Sequence, residues 1–281
     1  MGSRETAAMK SIILGVVLAV ALRAAEEKTT EHKTFSGVRE LVIDNITGSI
    51  DVTASTGGSV EMDIEKMLSG SSEDRLSLAR KEISLASTQE GGLVRLLVDG
   101  PFRCHCSDNS VSFHGHQVYD FNYNFKVRVP RDVKLELRTV NSSRINVEGT
   151  AGDYTISNVN GPIEMKDVEG SGSVHTVNGG VKVLYARNPT GATSYRTVNG
   201  SLDISFRAGL NADVKMKTMN GGLYTDFDVS AMPVSANPPE NRDGKFVWRS
   251  RQMTGVRIGR GGPELQFETL NGNVMIKNRE K

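Results

Sequence analysis

The sequence predicts an all-β protein built as a parallel β-solenoid of roughly 20-residue coils. A Thr-Val-Asn-Gly motif or a close variant occurs at residues 158–161, 176–179, 197–200, 218–221 and 269–272. From Asn141 to Asn220 the Asn recurs at intervals of 19, 18, 21 and 21 residues. Apolar and polar residues alternate on both sides of each motif, as they do in half-buried strands. A fixed period of this length is typical of a repeat architecture.

Two arrangements of these strands are possible. Asn-Gly between alternating strands is the strongest short-range signal for a β-hairpin, which would give an antiparallel meander. In a parallel solenoid, equivalent residues stack about 4.8 Å apart, so stacked Asn amides can bond to one another. The identical flanks favour the solenoid. We therefore expect a ladder of asparagines along its axis, formed by Asn141, Asn160, Asn178, Asn199, Asn220 and Asn271.

The first 25 residues have the features of a signal peptide and leader. Lys10 precedes an apolar run of eleven residues at 12–22, and residues 19–21 fit a small-x-small cleavage site. The run is too short to cross a bilayer as a helix. We expect an exported protein, periplasmic, cell-surface or secreted, without a transmembrane segment once the signal is removed.

The charge balance gives no reason to expect a nucleic-acid partner. Lys and Arg together number 34, and Asp and Glu number 33. No excess of positive charge therefore attracts nucleic acid or an anionic membrane. The 29 glycines and 37% hydrophobic residues suit a β-rich protein with many tight turns and a narrow core.

Residues 26–134 predict a strand unit with a short helix and a Cys/His hairpin, which covers the N-terminal end of the repeats. A first turn-and-strand unit is expected at residues 41–54, and strands are expected at 60–67, 82–88, 93–99 and 119–129. Ser72 is the expected N-cap of a helix over 72–81. The charged residues 26–33 are expected to form a mobile leader. Residues 135–281 hold the solenoid repeats, with an insertion near 229–262.

The repeats, the stretch Tyr-Asn-Phe-Lys-Val-Arg-Val-Pro at 123–130 and the closing Gly-x-Gly-Gly-Pro at 259–263 resemble the bacterial "putative adhesin" family of β-strand repeats. The resemblance covers residues 36–281. It implies a β-solenoid fold and an exported, non-catalytic envelope protein. This family is a domain of unknown function, and it brings no catalytic residues with it.

One row of outward side chains is a candidate binding surface. Three residues before each Asn stand Arg138, Ser157, His175, Arg196, Lys217 and Glu268. The basic members Arg138, His175, Arg196 and Lys217 could bind an acidic polysaccharide. Outward Glu164, Lys182 and Asp203 on adjacent coils keep a polysaccharide-active β-helix enzyme as the alternative. However, the outer face of a strand is polar in any case, and no acid and base can be assigned.

A second candidate is the cluster Cys104, Cys106, His114 and His116. If residues 102–106 and 112–116 form a hairpin, alternation places both thiols and both imidazoles on one face. Such a set suits tetrahedral Zn²⁺ or a copper ion, and a metal-binding envelope protein is the third possible function. The two alternatives are a disulfide and free thiols.

Together these patterns predict a non-catalytic adhesin or scaffold that presents a repeat β-surface. The expected partner is an envelope or extracellular glycan or protein. Apart from the Zn or Cu hypothesis, no cofactor is expected.

Overall fold

The computed structural model describes residues 25–103, 118–141, 144–232 and 253–281, and the backbone alone of 240–242 and 245–247. Within these residues the fold is all-β with one α-helix. The strands form a 10-stranded sheet, an 11-stranded sheet and a separate two-stranded hairpin. We call the two large ones the first and the second sheet.

The N-terminal part alternates long strands with one helix. Its elements are β1 Ala25–Ser36, β2 Glu40–Asp44, β3 Ile50–Ser55, β4 Ser59–Gly70, α1 Glu73–Glu82, β5 Ser84–Glu90, β6 Leu93–Asp99 and β7 Tyr119–Pro130. These bounds confirm the strands that the sequence predicts. They also confirm the helix, because the Ser72 side chain accepts a hydrogen bond from the Arg75 N–H at its start.

The repeat part consists of short strands, most of which alternate between the two large sheets. They are β8 Lys134–Arg138, β9 Ile145–Glu148, β10 Tyr154–Ser157, β11 Ile163–Val168, β12 Gly172–His175, β13 Val181–Tyr185, β14 Thr193–Arg196, β15 Leu202–Phe206, β16 Ala212–Lys217, β17 Leu223–Thr225, β18 Val229–Ala231, β19 Glu240–Arg242, β20 Lys245–Val247, β21 Thr254–Ile258, β22 Glu264–Glu268 and β23 Val274–Asn278. Strands β18–β21 fall in the predicted insertion.

Equivalent strands of successive repeats pair in parallel. In the first sheet Ile163 pairs with Ile145 on one side and Val181 on the other. In the second sheet Ile156 pairs in the same way with Leu137 and Val174. Each Asn-Gly therefore joins a strand of the second sheet to a strand of the first, and the antiparallel meander is excluded.

One continuous core lies between the sheets. Alternate side chains of nearly every strand are buried there, in one cluster that extends from Val38 to Ile276. The described core contains three tyrosines whose hydroxyls meet, because Tyr185 Oη lies 2.5 Å from both Tyr154 Oη and Tyr195 Oη. Burial raises the pKa of all three phenols. Strands of residues 26–134 and of the repeats thus share both sheets and one core.

The C-terminal strands lie inside the stack of repeats. The order β13-β15-β23-β17 in the first sheet and β16-β22-β14-β12 in the second places β22 and β23 between the two preceding repeats. The even spacing from Asn141 to Asn220 had predicted that Asn220 follows Asn199 directly, and this prediction is wrong. Asn271 bridges Asn199 on one side and Asn220 on the other. The reason is that residues 207–211 lead from β15 to β16, and β16 does not lie beside β14 in the second sheet. The place between β14 and β16 is filled by β22.

The charged residues 26–33 are part of β1, so the prediction of a mobile leader is also wrong. β1 pairs antiparallel with β4 along its whole length at the edge of the first sheet. Two of its polar side chains have partners on that strand, with Lys28 2.8 Å from Glu65 and His32 2.8 Å from Asp63. Charged side chains are common on edge strands because they discourage further pairing.

Candidate binding surface

The Asn side chains of the repeat motif bond to one another in a single line. Each Nδ2 donates to the Oδ1 of the neighbouring Asn at 2.7–2.8 Å. The donors and acceptors are, in order, Asn160 to Asn141, Asn178 to Asn160, Asn199 to Asn178, Asn271 to Asn199 and Asn220 to Asn271. The first repeat has Thr47 in the equivalent place.

The Thr of the motif bonds to the neighbouring repeat as well. Thr197 Oγ1 donates to the carbonyl oxygen of Gly179 at 2.9 Å, and Thr269 Oγ1 donates to that of Gly200 at 2.9 Å. The hydroxyl satisfies a carbonyl that the turn leaves without a ladder partner. Thr176 and Thr218 donate in the same way to the carbonyl oxygens of Gly161 and Gly272 in the neighbouring repeats.

The Gly of the motif is required by close approach of the backbone. A methyl group at Gly200 would lie 2.0 Å from the Gly179 carbonyl oxygen, and one at Gly272 would lie 2.0 Å from the Gly200 carbonyl oxygen. No side chain fits there. Thr, Asn and Gly are thus all explained by contacts between repeats. The residues left for binding are those on the outer faces of the sheets.

The predicted row of side chains does form on the outer face of the second sheet. Its register partners, from the N-terminal end, are Asp44, Arg138, Ser157, His175, Arg196, Glu268 and Lys217. We call these seven residues the outer row. The structure brings Arg138, His175, Arg196 and Lys217 into one line, and it places Glu268 between Arg196 and Lys217. The sequence predicted Glu268 as a member of this row, but after Lys217 rather than beside Arg196.

Opposite charges along the outer row neutralise one another. Arg196 lies 3.1 Å from Glu268, and Arg138 lies 2.7 Å from Glu136 on its own strand. Such solvent-exposed pairs contribute little to stability. They do, however, divide the positive charge of the row into separate points. The outer row is therefore a mixed polar surface rather than a continuous basic strip.

His175 occupies the centre of the outer row and is half-buried. Burial lowers the pKa of its imidazole, and the neighbouring Arg196 guanidinium lowers it further. The ring is therefore neutral near pH 7, and among the described residues its buried Nδ1 has no hydrogen-bond partner. The cations of the outer row at that pH are the Arg and Lys side chains.

A shallow depression of about 320 Å³ lies beside the outer row. Thr155, Ser173 and Ser194 form its floor, and these residues lie on the three central strands two positions before the outer row. Glu264 and Gln266 of β22 form its far side. Short hydroxyl side chains leave room here for a ligand. The signal for this depression was the small polar residue at the same place in three repeats, which the sequence analysis did not use.

The outer face of the first sheet carries a second set of charges. Glu164, Lys182 and Asp203 stand in register on neighbouring strands, as predicted from their spacing. Lys277 lies 2.7 Å from Asp203 and so occupies that carboxylate. At the C-terminal end of this face Tyr224 is 58% exposed.

The predicted metal ligands Cys104, Cys106, His114 and His116 lie outside the described residues, as does the predicted signal peptide apart from Ala25. Among the described residues there is no cluster of three metal-ligating side chains. The one helix among the described residues has 10 residues, and no described helix is long and apolar enough to span a bilayer. The Zn or Cu site thus stays a prediction.

Arg103, directly before this cluster, is firmly held. Its guanidinium donates to the Val98 carbonyl oxygen at 2.6 Å and pairs with Asp44 at 2.9 Å. The Arg103 side chain is almost fully buried, so the ion pair fixes the point at which the chain leaves β6 and its following turn.

Comparisons with known proteins give distant likenesses in structure alone. No family model matches the chain, and no curated protein sequence matches it. Among solved structures, a "putative cell adhesion protein" from Clostridium sporogenes is similar at a TM-score of 0.44 and 10% identity, over 90% of this chain and 100% of that one. A "putative adhesin" from Bacteroides fragilis is similar at 0.40 and 11%, over 90% and 97%. Likenesses this distant carry no argument about what this chain does.

Proposed function

We propose that the protein is an exported, non-catalytic envelope protein, an adhesin or scaffold that binds a glycan or protein partner on its outer faces. Its repeats are proposed to be the coils of a parallel β-solenoid, with residues 26–134 as the N-terminal cap. One observation supports this function above the others. The Thr, Asn and Gly of the repeat motif serve contacts between repeats, whereas the outer faces carry polar rows whose residues change from strand to strand.

The charges on these faces favour binding over catalysis. A general acid and a general base need to face the same reacting group at hydrogen-bond distance. Arg196, Lys277 and Lys215 instead hold Glu268, Asp203 and Glu264 in ion pairs on open surfaces. An extended in-register row suits a polymeric or protein partner that touches several strands at once.

The decisive experiment compares two variants of equal charge. Arg138→Ala/Arg196→Ala/Lys217→Ala removes three cations of the outer row. Lys126→Ala/Arg128→Ala/Lys182→Ala removes three exposed cations from the first sheet. Binding is measured on an array of neutral and acidic glycans and on immobilised extracellular matrix proteins. We expect the first variant to lose binding and the second to retain it, with binding that weakens as salt rises.

Turnover of polysaccharide would contradict the proposal. Reducing-end and unsaturated-product assays on the same glycans are expected to give no product. Reproducible product formation that is abolished by Glu164→Gln would make the protein a polysaccharide-active enzyme.

A further inference from the structure

The last repeat of the chain fills a slot between two earlier repeats. We call residues 263–281, which contain β22, the motif at 269–272 and β23, the closing segment. Strand β22 pairs in parallel with β14 and with β16, and β23 pairs in parallel with β15 and with β17. Every strand of the closing segment is therefore an interior strand, although it follows both of its partner strands in the sequence.

The closing segment is bound along both of its edges. On one edge the Gly200 N–H donates to the Asn271 carbonyl oxygen and the Leu202 N–H to the Asn273 carbonyl oxygen, both at 2.9 Å. On the other edge the Gly272 N–H donates to the Asn220 carbonyl oxygen at 2.9 Å. The segment also buries Leu265, Phe267, Val274 and Ile276 in the core.

The neighbouring repeat depends on these contacts. In the described sheets β16 and β17 do not pair with β14 and β15, and the closing segment lies between them. Without the segment, two parallel edges and a row of apolar positions would be open. An edge of this kind is a template for another strand.

The connection into the closing segment has the character of a hinge. Residues 259–263 cross from β21 on one side of β16 to β22 on the other. Gly259 and Gly261 adopt positive φ angles of 58° and 76°, and Gly259 and Arg260 are exposed. Glycines at such angles allow the chain to reverse direction. A different path gives up the 2.8 Å hydrogen bond from the Arg260 N–H to the Asn211 Oδ1.

We propose that the slot also accepts the closing segment of a second copy, so that copies of this protein join by exchanging their C-terminal repeats. The chemistry of the slot restricts what can fill it. It requires a Thr hydroxyl for the Gly200 carbonyl, an Asn to continue the ladder, and a Gly where a methyl group would lie 2.0 Å from backbone. Exchange of identical elements keeps the contacts of the closing segment inside the slot. A high protein concentration offsets the higher effective concentration of the segment that is tethered to the same chain.

The test uses disulfides between register partners in full-length chains with Cys104→Ser and Cys106→Ser. Ser205 and Lys277 are direct neighbours on β15 and β23. One tagged chain carries Ser205→Cys and a second, differently tagged chain carries Lys277→Cys. After mixing at high concentration, non-reducing gels are expected to show a cross-linked pair of the two tags.

Two controls define the outcome. A single chain with both substitutions shows that the disulfide forms within one molecule. The mixture of Leu184→Cys with Lys277→Cys reports random collision, because Leu184 is one strand further away. We expect about tenfold more cross-linked pair for Ser205→Cys than for Leu184→Cys, rising with concentration. Equal amounts in the two mixtures, with the single chain cross-linked internally, would show insertion in the same molecule only and overturn the proposal.

A peptide provides an independent readout. A synthetic peptide of residues 263–281 with Lys277→Cys is expected to cross-link to the full-length Ser205→Cys chain. The same peptide with Gly272→Ala as well is expected to cross-link about tenfold less, since its methyl group meets the Gly200 carbonyl oxygen. Equal cross-linking of both peptides would mean that the slot does not recognise the segment, which also contradicts the proposal.

Discussion

The two ends of the stack are finished in different ways. At the N-terminal end, long strands β7, β4 and β1 extend the first sheet, β6 and β5 extend the second, and α1 packs on β4. At the C-terminal end the first sheet stops at the three residues of β17, and the short β21 and β18 extend the second. Non-repeat strands lie at the edges of both sheets at the first end, whereas at the second end the first sheet has the repeat strand β17 at its edge.

The exposed apolar residues reflect this difference. Among the described large hydrophobic side chains, the three most exposed are Met219 at 67%, Tyr224 at 58% and Val229 at 46%. All three lie at the C-terminal end. Apolar surface of this kind weakens the end that carries it, since its burial is incomplete. We therefore expect the C-terminal end to open first, at a lower free energy than the rest of the stack.

The largest expected effect comes from the aromatic residue that anchors the closing segment. Phe267 is fully buried and stacks on Tyr195 at a centroid distance of 5.1 Å. Phe267→Ala should lower the free energy of unfolding by about 3–5 kcal/mol and speed hydrogen exchange in β16 and β17. Denaturant unfolding and hydrogen exchange by mass spectrometry measure the two quantities.

Phe121→Ala is the matched change at the N-terminal end, where Phe121 stacks on Phe102 at 5.1 Å. It should cost a similar free energy while leaving exchange in β16 and β17 unchanged. Equal acceleration in both variants would mean that the two ends unfold together, and the comparison between them would fail.

A smaller effect is expected at the Gly of the motif at 218–221, which is the last motif in the stack. A methyl group at Gly221 would lie 2.0 Å from the Gly272 carbonyl oxygen, whereas one at Gly58 would meet no atom within 4 Å. Gly221→Ala should therefore destabilise by about 1–3 kcal/mol, and Gly58→Ala should not destabilise. Thermal unfolding of both variants is the measurement. A stable Gly221→Ala protein would show that the terminal repeat can move away from its neighbour.

The Asn ladder gives a still smaller and graded effect. Asn199 donates to Asn178 and accepts from Asn271, whereas Asn220 makes one ladder bond, to Asn271. Asn199→Ala should cost about 1 kcal/mol and Asn220→Ala about half of that, because a net hydrogen bond is worth about 0.5–1.5 kcal/mol. Chemical denaturation distinguishes them. The reverse order of stabilities would contradict the ladder as drawn.

The smallest effect concerns acid. At the C-terminal end the Arg257 Nε donates to Asp213 at 2.7 Å, and this hydrogen bond lowers the pKa of the carboxyl group. The stabilisation is complete above the ordinary value of about 3.9 and is lost as pH falls through the lower folded value. The unfolding midpoints of wild type and Asp213→Asn should therefore converge on acidification from about pH 6 to about pH 3.

Asp63 is the counterpart at the N-terminal end, since its hydrogen bond to His32 lowers the pKa of the Asp63 carboxyl. Asp63→Asn should show the same convergence with wild type. A gap that widens on acidification in either case would contradict the sign of the effect.

Local patterns were enough to predict most of the elements. The alternation around each Asn-Gly predicted the strands, and Ser72 with its following acidic residues predicted the start of α1. The register of the outer row followed from the same spacing, because period-two alternation fixes which side chains face outward. Parallel pairing was favoured by the identical flanks, and the structure has it.

Two features could not be obtained from local pattern. The motif at 269–272 resembles its neighbours, so its sequence does not encode its place in the stack. That place becomes visible only in the sheet order, where β16 does not lie beside β14. Consequently the position of Glu268 beside Arg196 was missed. The pairing of β1 was missed because charged edge strands lack the apolar alternation by which strands are recognised.

The direction of the Asn bonds gives the stack a polarity. All five ladder bonds are donated toward the N-terminal end, and the motif threonines donate the same way. Side-chain dipoles aligned in this manner reinforce one another. Within the described residues no donor reaches the Oδ1 of Asn220, so this face ends in a lone-pair acceptor. Any molecule that lengthens the stack there must bring a hydrogen-bond donor.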